Sequence, residues 1–141
     1  MREKNFMSLD PKGQETKEWL TIAKTDLAAS RKLAGDTEFA TQSVFHAQQS
    51  AEKAIKAFLV WHQLRFKKDH DLGYLGDIAI EKDITLSNLI DEAVSLNPYA
   101  VTARYPGFDD EIESLEVEAA ILLAEKIFNE ILSRLPQEVH P

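Results

Sequence analysis

One stretch limits the fold more than any other. Across residues 39–65, Val44, Ala47, Ala51, Ala54, Ile55, Phe58, Leu59 and Trp61 recur at steps of three and four, which is the period of a helix and not of a strand. So many alanines on one face let a second helix approach closely. The rest of the chain reads the same way. Trp19, Ile22, Ala23, Leu27, Ser30 and Leu33 mark a first helix, expected to end on Gly35 in a left-handed cap. Asp69 or Asp71 can cap a short helix over residues 74–80. Leu86, Leu89, Ile90, Ala93, Val94 and Leu96 form another, which should stop before Asn97-Pro98. After Pro106-Gly107, a cluster of Asp109, Asp110, Glu111 and Glu113 suits the positive end of a helix dipole. From there Ile112, Leu115, Ala119, Leu122, Leu123, Ile127, Ile131 and Leu135 continue the stripe up to Pro136. With five Gly, five Pro and no lasting apolar–polar alternation, the expectation is an all-α fold, a five-helix up-and-down bundle. Its expected parts are a polar N-terminal tail over 1–16, one helical domain over 17–136 and a C-terminal tail over 137–141.

Composition narrows the chemistry. Apolar residues make up 44% of the 141, enough for one sizeable core. There is no Cys, so disulfides, thiolate metal sites and a Cys nucleophile are excluded. No apolar run approaches the ~18 residues of a membrane span, and the N-terminus lacks the apolar core of a signal peptide. A cytoplasmic protein without a membrane partner is expected. The net charge of −8 argues against bulk nucleic-acid binding. It is unevenly spread, however: residues 1–71 hold 12 Lys and Arg against 10 Asp and Glu, whereas residues 72–141 hold 4 against 14.

Positive charge gathers at LRFKKDHDL, residues 64–72, with Arg65, Lys67, Lys68 and His70. Arg65 and His70 stand in an R-x4-H spacing. A neutral His can take the proton of an RNA 2′-hydroxyl, and an Arg fork can hold two phosphate oxygens, so the pair suits metal-free phosphodiester cleavage. The same residues also suit a phosphate-binding corner, or simple matching of the negative end of the preceding helix. Arg104 and Tyr105 form a second candidate, the guanidinium for a phosphate and the ring for a base. Alternatively, Arg104 pairs with Asp109 or Asp110 and Tyr105 packs on the last helix. His46, Gln49, Lys53 and Lys56 share one helical face, either an ordinary solvated surface or, through Lys53 and Lys56, part of an anion-binding one. Glu52 and Lys56 read as an i,i+4 pair, and His62 as a core or interface His. The four His show no i,i+3 or i,i+4 ligand spacing, and neither a metal site nor a cofactor is expected.

Three blocks occur in order: FHAQQSAEKAIKAFL (45–59), HDL (70–72) and ARYP (103–106). Together they resemble the HEPN domain family over residues 19–135. The resemblance implies a helical bundle that forms a homodimer. It also implies a minimal nucleotidyltransferase as protein partner, frequently in a toxin–antitoxin pair, and a nucleotide or RNA as ligand. Many family members are metal-independent RNases carrying R-x4–6-H at the entry to a late helix. Arg104 is the counterpart here, but positions 109, 110 and 111, where the His would follow, hold Asp109, Asp110 and Glu111. The expected function is therefore a binding component. Its phosphate-binding residues would be Arg104, Tyr105, Lys53, Lys56, Lys68 and His46, and it would act beside a nucleotidyltransferase. Two alternatives stand against it: a metal-independent endoribonuclease working through Arg65 and His70, or through Arg104 with a His from elsewhere, and a dimerisation scaffold without a ligand.

Overall fold

The structure, a computed structural model, describes residues 9–106 and 111–141. Within them lie five helices and several short turns: α1 (Pro11–Leu33), α2 (Ala40–Trp61), α3 (Leu72–Lys82), α4 (Ser87–Ala93) and α5 (Ser114–Leu132), with a single helical turn at Tyr99–Thr102 between α4 and α5. No strand occurs among the described residues, so the all-α expectation holds.

α1 begins earlier than its apolar periodicity indicated. Asp10 accepts a hydrogen bond from the Gly13 amide at 2.7 Å and Pro11 occupies the first helical position, an arrangement that starts a helix without an apolar residue. Gly13 and Thr16, expected to lie in a polar tail, are consequently helical and buried. At the other end, α1 closes through Ala34 in ordinary helical geometry, and Gly35 adopts no positive φ.

The left-handed residue belongs to α2 instead. Gln63 has φ 56° and is the one non-glycine with positive φ among the described residues. Around it the Gln63 amide donates to Val60 O at 3.0 Å and the Leu64 amide to Leu59 O at 2.9 Å, the two reciprocal bonds of a Schellman cap. α2 therefore ends at Trp61, short of the expected Arg65. The Phe58, Leu59 and Val60 carbonyls are satisfied by backbone amides, and Arg65 makes no hydrogen bond to the helix end among the described residues. Because L-residues pay a steric penalty in this conformation, Gln63→Gly should stabilise the fold by about 0.5–1 kcal/mol. That would be a rise in Tm of roughly 2–3 °C by thermal denaturation; an unchanged or lower Tm would contradict the assignment.

α1 and α2 lie antiparallel, as the paired positions show. Ser30 Oγ donates to Ser43 O at 2.6 Å while Ser43 Oγ donates to Ser30 O at 2.8 Å. Ser50 Oγ donates to Ala23 O at 2.8 Å, and Lys12 sits 4.1 Å from the Trp61 ring centroid. Small side chains at these positions let the two backbones approach. The core lies between this hairpin and α3, α4 and α5. Ala47, Ala51, Ala54, Ile55, Phe58 and Leu59 of α2 meet Leu20, Ala23 and Leu27 of α1 and Ala124, Ile127 and Ile131 of α5, all fully or almost fully buried. α3 and α4 pack closely enough that a Cβ on Gly76 would collide with Ile90. Arg31 pairs with Glu125, and Arg134 pairs with Asp83 at 3.1 Å. The stretch 137–141, expected to be a tail, contributes Val139 to the core, and His140 Nε2–H caps the end of α5 by donating to Leu132 O at 2.9 Å.

Candidate functional site

The polar face of α2 is not solvated. Gln48, Gln49, Glu52 and Lys56 are all buried, because α1 covers one flank and the segment around His70 the other. Glu52, 2% exposed, is the hub. Its Oε2 accepts from Lys56 Nζ at 2.9 Å. Its Oε1 takes the His70 Nδ1 at 3.0 Å and the Gln48 side-chain amide at 3.3 Å. Gln48 reaches the same segment a second time, donating to the His70 carbonyl at 3.1 Å. Lys56 also lies 5.5 Å from the Trp19 ring centroid. A buried charge is tolerated only when paired and hydrogen-bonded, and here the lysine and the carboxylate satisfy one another.

The remaining members of the expected anion surface are engaged elsewhere. His46 Nδ1 and Lys53 Nζ both meet the Asp26 carboxylate of α1, at 2.9 and 3.2 Å, and Lys53 also donates to Gln49 at 3.1 Å. These groups fasten α2 to α1, so His46, Lys53 and Lys56 are not an open cationic face. His62 packs its ring 4.4 Å from that of Phe58. Burial, helped by Lys82 and Lys12, holds its pKa below the ordinary value.

His70 precedes α3. Asp71 caps that helix by accepting from the Gly73 amide at 2.8 Å. Asn97 ties the cap to the end of α4: its Oδ1 accepts from the Leu72 amide at 2.8 Å and its Nδ2 donates to Asp71 Oδ1 at 3.0 Å. This clamp brings the turn Tyr99–Thr102, and the ARYP block after it, beside His70. Arg104 Nη1 stands 3.1 Å from His70 Nε2, and the guanidinium lies 5.3 Å from the Phe45 ring centroid. An arginine only donates, so Nε2 accepts. The ring proton therefore sits on Nδ1, donated to Glu52. The result is a fixed tautomer whose unprotonated nitrogen faces a guanidinium.

The R-x4-H spacing does not make a pair in space. Arg65 is exposed and forms no hydrogen bond or ion pair among the described residues. Lys68 is likewise exposed. Tyr105 is 59% exposed, so its ring is not buried against α5. The partners considered for Arg104, Asp109 and Asp110, lie outside the described residues, and the third position that was to hold a His, Glu111, is exposed. The His that Arg104 lacks in sequence is supplied in space by His70, 34 residues earlier. Gln48 and Glu52 were not anticipated as site residues. Their i,i+4 spacing to each other and from Glu52 to Lys56 was the available signal, but it is the same whether such a row is solvated or buried.

Among the described residues no group of three or more His, Cys, Asp or Glu is placed to hold a metal ion, and no helix is long and apolar enough to cross a membrane. The chain is 32% identical over 90 residues to a protein of Methanocaldococcus jannaschii named "Putative toxin MJ1304", covering 60% of this chain and 59% of that one. The matched part thus spans about three fifths of that relative's length. No solved structure matches the chain. The family model of the HEPN domain matches residues 16–135. That match takes in α2, the His70 segment and Arg104 and most of the bundle around them, and on it the chain belongs to the HEPN domain family.

Proposed function

We propose that this chain is a toxin-type HEPN protein that takes a phosphate of a nucleotide or RNA between Arg104 and His70 and acts beside a minimal nucleotidyltransferase. The observation that carries the phosphate reading is the 3.1 Å approach of Arg104 Nη1 to a His70 ring whose other nitrogen is held by buried Glu52. In this arrangement Arg104 spends one N–H on His70. Its remaining donors make no other hydrogen bond among the described residues and suit a bidentate pair with phosphate oxygens, a charge-assisted bond in which a fork outperforms a point charge. The name of the archaeal relative and the family membership support the toxin-type role.

Arg104→Ala should weaken nucleotide or RNA binding about 10–100-fold, the equivalent of roughly 1.5–3 kcal/mol for a hydrogen bond to a charged group. Stability should stay within about 0.5 kcal/mol because the side chain is exposed. Titration calorimetry and thermal melting on the same samples would check both; an unfolded Arg104→Ala chain, or unchanged affinity, would refute the reading.

A ribonuclease reading is favoured by one further feature, the fixed tautomer. With the proton on Nδ1, the Nε2 lone pair can accept the 2′-hydroxyl proton once a phosphate draws Arg104 aside. The 2′-oxygen then attacks phosphorus, the 5′-oxygen departs with a proton returned from the imidazolium, and a 2′,3′-cyclic phosphate forms while Arg104 balances the charge on the nonbridging oxygens. RNA cleavage in excess chelator that is lost in His70→Ala would select this reading over binding alone.

A further inference from the structure

We infer that the cavity beside His70, walled by Asp71, Asn97, Ala100 and Val101, holds the base of the nucleotide whose phosphate meets Arg104. This inference rests on the phosphate reading above and adds the ligand's other half. The cavity is an open hollow of about 290 Å³, just below the roughly 300–1,000 Å³ of small-molecule sites and large enough for one planar ring system laid against its wall. His70 is a wall of this cavity and a neighbour of Arg104 at once, so a ligand seated here has its phosphate end directed to the guanidinium.

The lining divides by chemistry. Ala100 and Val101 offer apolar surface to a ring face. Asp71 and Asn97 offer a polar edge whose unspent groups can be counted. Asn97 uses Oδ1 on the Leu72 amide and one Nδ2 hydrogen on Asp71, which leaves the second hydrogen. Asp71 uses Oδ1 for Gly73 and Asn97, and its Oδ2 takes no hydrogen bond among the described residues. Each residue thus keeps one group unspent among the described residues, an acceptor on Asp71 and a donor on Asn97. A nucleobase edge presents the complement, as adenine does with its exocyclic amine next to a ring nitrogen. The hydroxyls of a sugar phosphate can meet this edge, but neither they nor bare phosphate offer a ring face to the apolar wall.

The test compares AMP with ribose 5-phosphate by titration calorimetry. AMP should bind at least tenfold more tightly. Val101→Trp, which fills the mouth of the cavity from a position already 40% exposed, should erase that preference and leave ribose 5-phosphate affinity unchanged, whereas Arg104→Ala should weaken both ligands. NMR of the unsubstituted chain supplies a readout independent of the variant's folding: the methyl signals of Ala100 and Val101 should shift upfield under the ring current of AMP and not with ribose 5-phosphate. A short oligoadenylate identifies the source, tighter binding than AMP marking RNA and equal or weaker binding a free nucleotide. Equal affinity for AMP and ribose 5-phosphate, or unmoved methyls, overturns the base pocket and leaves the phosphate reading standing. Failure of both ligands and of the oligoadenylate to bind overturns both.

Discussion

Glu52→Ala should destabilise the fold by about 3–5 kcal/mol, the cost of removing one partner from a buried ion pair. Glu52 is 2% exposed and holds Lys56, Gln48 and His70 together. Its removal leaves the Lys56 ammonium buried against Trp19 without a counter-charge. Domains of this size are stable by roughly 5–15 kcal/mol in total, so the variant should show a sharply lowered denaturation midpoint. The double variant Glu52→Leu, Lys56→Met removes both charges and should recover a good part of the loss, because apolar replacement of a whole buried pair is often neutral. Yet it should not restore the phosphate binding proposed above, since the Nδ1 partner that fixes the His70 ring would still be missing. Urea denaturation of the single and double variants checks this; a single variant within 1 kcal/mol of the parent would show that Glu52 is not the hub the distances indicate.

Ala54→Arg should abolish the fold. Ala54 is fully buried in the α2 stripe, within the apolar core cluster. An arginine there adds volume to a packed interior, at about 1–3 kcal/mol, and an unpaired charge costing several kcal/mol more. The sum matches the whole stability of an ordinary domain. The chain should lose its cooperative thermal transition and its near-ultraviolet circular dichroism; a cooperative melt near the parent Tm would mean that the stripe does not form the core.

Much of this architecture was legible in residue spacing, and the reasons are physical. Ala47, Ala51, Ala54, Ile55, Phe58 and Leu59 are all at 1% exposure or less, because a period of three to four is what one side of a helix must repeat to stay out of water. Element ends were less legible. The start of α1 is set by Asp10 and Pro11 and not by apolar residues, and the end of α2 by Gln63 in a conformation more typical of glycine. The site was legible in its parts but not in its pairing. Arg104, His70 and Lys56 each stood out, yet linear distance favoured Arg65 as the partner of His70. The true neighbour arrives because Asn97 clamps the Asp71 cap, a contact between segments 26 residues apart that no spacing rule reports. The Gln48–Glu52–Lys56 row misleads for a related reason: polar residues at helical steps look the same whether they face water or one another.

The reciprocal serine bonds between α1 and α2 bear on the order in which the chain assembles. Ser30 and Ser43 are 13 residues apart, so the loop that must close before they meet is short, and local pairings of this kind form early. They set the register of the two helices, and that register presents Gln48, Glu52 and Lys56 as a row. His70 and then Arg104 join the row only after longer loops close. The pair is thus among the last features to mature. A half-folded chain carries the α1–α2 scaffold before Arg104 and His70 stand side by side, and the pair exists only in the completed fold.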